Sequence, residues 1–112
     1  MVVWRGTLLE CRSAFARLRR EGHLSLSRED EVLDLLATLS SCWAEISPSE
    51  EICTIAGAFL RRHPLRAADS LQLAAALIWA DKVPRGHSFV CLDRRLAEAA
   101  RQEGFRILPG AE

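Results

Sequence analysis

The stretch from Leu65 to Leu77, LRAADSLQLAAAL, constrains the fold of this chain more than any other. From Ala67 to Ala80 nearly every residue is apolar, and Ala74, Ala75, Ala76 and Leu77 are consecutive. A helix that is apolar all round has no face to offer water, so it must be covered by other elements. One carboxylate, Asp69, stands at its start. A carboxylate beside a buried element is paired, capped or bound to a cation, because an uncompensated charge is costly to desolvate. Asp69 therefore reads either as a helix cap, accepting backbone N–H bonds from Leu71 or Gln72, or as one acid of a site. The two readings are compatible.

Covering such a helix takes layers on more than one side, and 112 residues with 49% apolar content suffice for one domain, taken as residues 1–112. Net charge is zero, so no global field selects nucleic acid. The cations are nearly all arginine, with Lys82 the one lysine, and they cluster at Arg17, Arg19 and Arg20, at Arg61, Arg62 and Arg66, and at Arg94 and Arg95. Each cluster reads as a solvated helix end favoured by the helix dipole. Cys11, Cys42, Cys53 and Cys91 have no metal-like spacing, and their apolar neighbours suggest buried, reduced thiols in a cytosolic protein. The opening Met1–Trp4 run is no signal peptide, and no segment has the length of a membrane span.

Along the chain, Val2-Val3-Trp4 is a short β-like run. Thr7 offers a cap for a helix whose apolar stripe is Leu8, Cys11, Phe15 and Leu18, closed by Gly22. Glu10 flanks that stripe, and its helical neighbours Gly6, Thr7, Ser13 and Ala14 include no base to pair with it. Compensation of the helix dipole is the alternative role. Ser27, with Asp30 three residues on, opens a second helix with core positions Val32, Leu35, Leu36 and Leu39. Trp43–Ile46 reads as a strand. Ser47-Pro48-Ser49-Glu50 then starts a helix, with Ser47 as cap and Pro48 at the first helical position, that buries Ile52, Ile55, Ala56 and Phe59. After the apolar helix come a Pro84–Gly86 loop, a strand over Ser88–Leu92 that delivers Asp93, a helix over Arg94–Glu103 stopped by Gly104, and a strand over Phe105–Leu108. Asp93 reads equally as a cap for that last helix. His23, His63 and His87 lie beside Gly or Pro in apparent loops and read as surface residues.

Strands alternating with helices indicate an α/β fold with a parallel sheet between helical layers, and ligands of such folds bind outside the carboxyl ends of the strands. Three acids, Glu10, Asp69 and Asp93, stand at element ends where that edge would gather them, within about 10 Å of one another if they share one or two cations. Converging carboxylates need a divalent cation, and hard oxygen donors suit magnesium or manganese. Such a site hydrolyses phosphodiesters by activating water and neutralising charge on the phosphate.

The segments LRAADSLQLAAAL and FVCLDRRLAEAARQEGFRILP resemble the C-terminal half of a PIN domain, particularly the VapC-type toxins of prokaryotic toxin–antitoxin pairs, and TLLECRSAFARLRREGHLS resembles the family's acidic second helix. The resemblance implies a three-layer α/β/α, Rossmann-like PIN fold and a cytoplasmic, magnesium-dependent endoribonuclease. It further implies homodimers and inhibition by a cognate antitoxin. Glu10, Asp69 and Asp93 match three of the family's metal-site acids. The chain departs from the family at its start: a PIN domain opens with an apolar strand ending in Asp, whereas here no Asp occurs before Asp30. A further acid after Asp93 is replaced by Arg94, Arg95 and Leu96. The sequence is therefore read as N-terminally truncated. As written, the chain is expected to bind metal more weakly than a four-acid site and to cleave RNA poorly or not at all. If the truncation is an artefact of where the sequence was taken to start, a form extended to include the upstream Asp is expected to be a magnesium-dependent ribonuclease. The alternative is a catalytically inactive PIN remnant that acts as an antitoxin- or protein-binding module.

Overall fold

In the computed structural model, which describes residues 1–109, the chain runs β1 (Val2–Trp4), α1 (Thr7–Arg20), α2 (Leu26–Ser40), β2 (Ala44–Ile46), α3 (Glu50–Arg62), α4 (Ala67–Trp79), β3 (Ser88–Val90), α5 (Arg94–Gln102) and β4 (Arg106–Leu108). Packing divides it into two units, Met1–Glu45 and Ile46–Glu112. No helix of the described residues is long and apolar enough to cross a membrane.

In the first unit the Trp4 ring lies over Gly6, so closely that a Cβ there would stand 2.1 Å from the ring. Only glycine admits that approach. Gly6 is also the cap of α1, and Thr7, expected as the cap, is the first helical residue. A hydroxyl at Gly6 is ruled out by the ring, so α1 starts without a side-chain cap. The helix closes with Gly22 at φ +80°, where the Gly22 N–H reaches the Arg19 carbonyl and the His23 N–H the Leu18 carbonyl. Ser25, not Ser27, caps α2: its side chain accepts from the Arg28 N–H at 3.2 Å.

The buried face of α2 differs from the expected one. Leu36 is buried and Val32 and Leu33 are half-buried, while Leu35 and Leu39 are exposed at 68% and 51%. Leu35 and Leu39 lie one turn apart on the same face, turned from α1. The polar member of the interior is Glu29, 8% exposed, whose carboxylate accepts from Arg19 Nε at 2.6 Å.

In the second unit Ser49 caps α3 through the Ile52 N–H at 3.1 Å, two residues later than expected. Ile52, Ala56 and Phe59, at helical spacing, are its buried residues. Against them packs α4, with Ser70, Leu73, Ala74 and Ala75 buried. The Ser70 hydroxyl is satisfied by the Ala67 carbonyl at 2.7 Å, so this helix runs through the core with no unpaired hydroxyl. β3 and β4 are parallel, in register Ser88↔Arg106, Phe89↔Ile107 and Val90↔Leu108. A parallel pair needs a crossover, and α5 supplies it, burying Leu96, Ala99 and Ala100. Phe89 and Phe105 join the same core with ring centroids 5.7 Å apart.

Among the described residues the strands form two two-stranded sheets, β1 with β2 and β3 with β4. Each strand is three residues long. The expected strand over Ser88–Leu92 ends at Val90, and Val90 and Leu92 are exposed rather than interior. Of the four thiols, Cys42 and Cys53 are exposed and Cys11 and Cys91 half-buried, against the expectation of four buried ones. All four are free.

Candidate metal site

Asp69 is the third residue of α4 and half-buried. It is not the cap: Arg66 occupies that position, with no side-chain hydrogen bond to the helix start. A carboxylate in a first helical turn is favoured by the dipole, yet Asp69 forms no hydrogen bond or ion pair with another described residue. The capping reading thus fails for Asp69 and leaves its carboxylate available.

Asp93 is the cap of α5. Its Oδ1 accepts from the Leu96 N–H at 2.9 Å, as the alternative reading expected. That bond uses one oxygen and fixes the carboxylate, which stays exposed with its second oxygen unused.

Cys91 lies just past β3 and is half-buried. Its pKa is raised first by burial, with backbone hydrogen bonding at Asp93 acting the other way, and then by the negative charges of Asp93 and Asp69. The charges of both carboxylates therefore act on this one thiol. The thiol points its proton at the Asp93 carbonyl, 3.4 Å away. Glu10 lies in the other unit, half-buried in the first turn of α1. Its charge, after burial, raises the pKa of Cys11. Among the described residues no group of three or more His, Cys, Asp or Glu side chains is arranged to hold a metal ion.

A second charged cluster joins the end of α3 to the end of α5. His63, expected at the surface, is 8% exposed, and its Nε2 lies 2.6 Å from Glu103 Oε2. Arg62 grips the same carboxylate, 3.1 Å from Oε1 and 3.2 Å from Oε2. Pro64 had suggested a loop at His63, but the ring turns inward against Phe59. The arginine beside that histidine and the acid at the end of the last helix were the available signals.

No protein-family model matches the chain. Two curated proteins do: Ribonuclease VapC45 of Mycobacterium tuberculosis (strain CDC 1551 / Oshkosh) and Ribonuclease VapC49 of M. tuberculosis (strain ATCC 25618 / H37Rv). Each is 35% identical over 103 residues, covering 89% of this chain and 67% of the relative. The chain belongs to the VapC ribonuclease family. It spans about two thirds of the length of these relatives. The mixed α/β order, with a parallel β3–α5–β4 unit, is compatible with the PIN-like fold expected from the sequence.

As a VapC family member the chain brings a donor set that suits a hard cation. Asp69 and Asp93 offer carboxylate oxygens, the ligand type that magnesium and manganese prefer. The nearby sulfur is a soft donor, the type that suits zinc or copper rather than magnesium or manganese.

Proposed function

We propose that this chain is a metal-dependent endoribonuclease, the toxin of a type II toxin–antitoxin pair, built as a single PIN-like domain over residues 1–112 with a three-layer α/β/α arrangement. The observation that carries this reading is the 35% identity to two VapC ribonucleases across most of the chain. The action of both the Asp69 and the Asp93 charge on the Cys91 thiol supports it. Asp69 and Asp93 would hold magnesium or manganese; Glu10 is the matching acid of the first unit by the family resemblance.

The chain's own residues do three things. The Leu96 N–H orients the Asp93 carboxylate and leaves one oxygen for a cation. The first turn of α4 presents Asp69 without a competing partner. The pair of negative charges attracts a divalent ion and repels a bare phosphate, so RNA binds productively only with the metal in place. When bound, the metal supplies a water of lowered pKa and offsets charge on the phosphate. By the same resemblance the partners are RNA and a cognate antitoxin, the toxin is a homodimer, and the compartment is the cytoplasm.

The test is RNA cleavage by the chain with magnesium, with chelator, and in Asp69→Asn and Asp93→Asn. Slow, chelator-sensitive cleavage that falls roughly a hundredfold or more in both variants is expected, since loss of one ligand misplaces the cation. Cleavage that survives chelator would refute the metal site. Stable antitoxin binding without any cleavage would replace this reading with the binding-module alternative.

A further inference from the structure

The three arginine clusters occupy different helix ends. Arg17, Arg19 and Arg20 lie in the last turn of α1, and Arg61 and Arg62 in the last turn of α3. Cations there are favoured by the dipole. Arg94 and Arg95 are the first two residues of α5, at the end where the dipole repels a cation. No ion pair to another described residue compensates either of them. They line a cleft of about 310 Å³ whose wall also includes Arg62, His63, Glu98 and Gln102.

The acids around this cleft are already neutralised. Glu98 is held by Arg101 and by the Gln102 side-chain amide. Glu103 is held by Arg62 and His63. The free charge facing the cleft is therefore that of Arg94 and Arg95. The buried His63–Glu103 contact fixes the opposite wall, so the cleft is shaped before any ligand arrives.

We propose that this cleft is a substrate subsite for the RNA backbone. Arg94 and Arg95 bind a phosphate next to the one held at Asp93. The assignment rests on the ribonuclease reading for its choice of ligand. Two observations favour RNA over an acidic protein segment. The arginines are the first two residues of the helix that Asp93 caps, so the cleft starts within one helical turn of that carboxylate. The planar guanidinium fork also matches phosphate in a bidentate way. The geometry explains why arginine stands where the family resemblance leads one to expect a further acid.

The experiment is fluorescence anisotropy of the full chain with a labelled single-stranded RNA 12-mer in chelator, across a range of salt. Arg94→Ala and Arg95→Ala are expected each to weaken binding roughly tenfold and to reduce the log–log salt slope by about 0.7 per lost phosphate contact. Arg85→Ala, the same charge loss in the loop before β3, is expected to match the wild type. Arg94→Lys is expected to restore the slope while recovering affinity only in part, which separates a phosphate contact from misfolding. Unchanged affinity and slope in both alanine variants would overturn the subsite and leave the nuclease reading intact. Displacement of the RNA by a poly-glutamate peptide of equal charge at equal concentration would overturn it in favour of an acidic protein partner. A wild type that binds no RNA in chelator would overturn the subsite alone, because the nuclease reading is tested separately by cleavage with magnesium. Arginine-dependent RNA binding in a chain that never cleaves RNA would support the subsite and defeat the nuclease reading alone.

Discussion

Asp93 serves two purposes through two oxygens, and substitution can separate them. Asparagine caps a helix about as well as aspartate, so Asp93→Asn should keep the Leu96 N–H bond and melt within a degree or two of the wild type. Asp93→Ala loses the cap and should cost about 1 kcal/mol in urea unfolding. Both should lose metal-dependent activity. If Asp93→Asn were as unstable as Asp93→Ala, the carboxylate charge rather than the cap would be holding α5. Cys91 gives a second probe at this scale. Alkylation proceeds through the thiolate, so a raised pKa slows labelling near pH 8. With the other three cysteines replaced by serine, Asp69→Asn should speed labelling of Cys91, because it removes one of the charges that raise the pKa. The pH–rate curve should shift to lower pH, and only part of the way to a free thiol, since burial is the larger cause and stays. An unshifted curve would mean that Asp69 is not near the thiol.

At the scale of elements, the helix hairpin of the first unit depends on one partly buried ion pair. Arg19 meets Glu29, whose side chain is 11% exposed, whereas Arg28 meets Glu31 on an open helix face. Removing Arg19 leaves a carboxylate in the interior without its partner, so Arg19→Ala should cost roughly 1–3 kcal/mol. Arg28→Ala should cost about 0.5 kcal/mol or less. Equal costs in urea unfolding would show that Glu29 is effectively solvated. Element identity was largely legible in the sequence because it rests on local chemistry: β1 falls on Val2–Trp4, and α4 on the apolar run after Arg66. Helix starts were less legible. Thr7, Ser27 and Ser47 each carry a capping hydroxyl, yet Gly6, Ser25 and Ser49 are the caps. Where two candidate residues lie within one turn, packing such as that of Trp4 on Gly6 chooses between them. The face of α2 was misjudged for a related reason: Val32, Leu33, Leu35, Leu36 and Leu39 surround the helix there, and only its packing selects Leu36.

For the molecule as a whole, strand pairing was the least legible feature, since hydrogen-bonding partners are set by distant segments. Alternation of strands and helices suggested one sheet, and the chain forms two pairs. The candidate site was legible as residue types. Asp69 and Asp93 stood out as acids at element ends, and the charges of both act on the Cys91 thiol. That Asp93 would cap and Asp69 would not depended on where α4 and α5 begin. The His63–Glu103 contact joins residues 40 apart in sequence, too far for the charges beside His63 and at the end of α5 to declare a pair. The central claim is that Asp69 and Asp93 hold one divalent cation. Calorimetric titration of the full chain with manganese tests it most directly, in the wild type and in Asp69→Asn and Asp93→Asn. Saturable binding, reduced roughly tenfold or more by each substitution, is expected from the loss of one anionic ligand at a time. Tight binding indifferent to Asp69→Asn and Asp93→Asn, or no binding by the wild type, would contradict it.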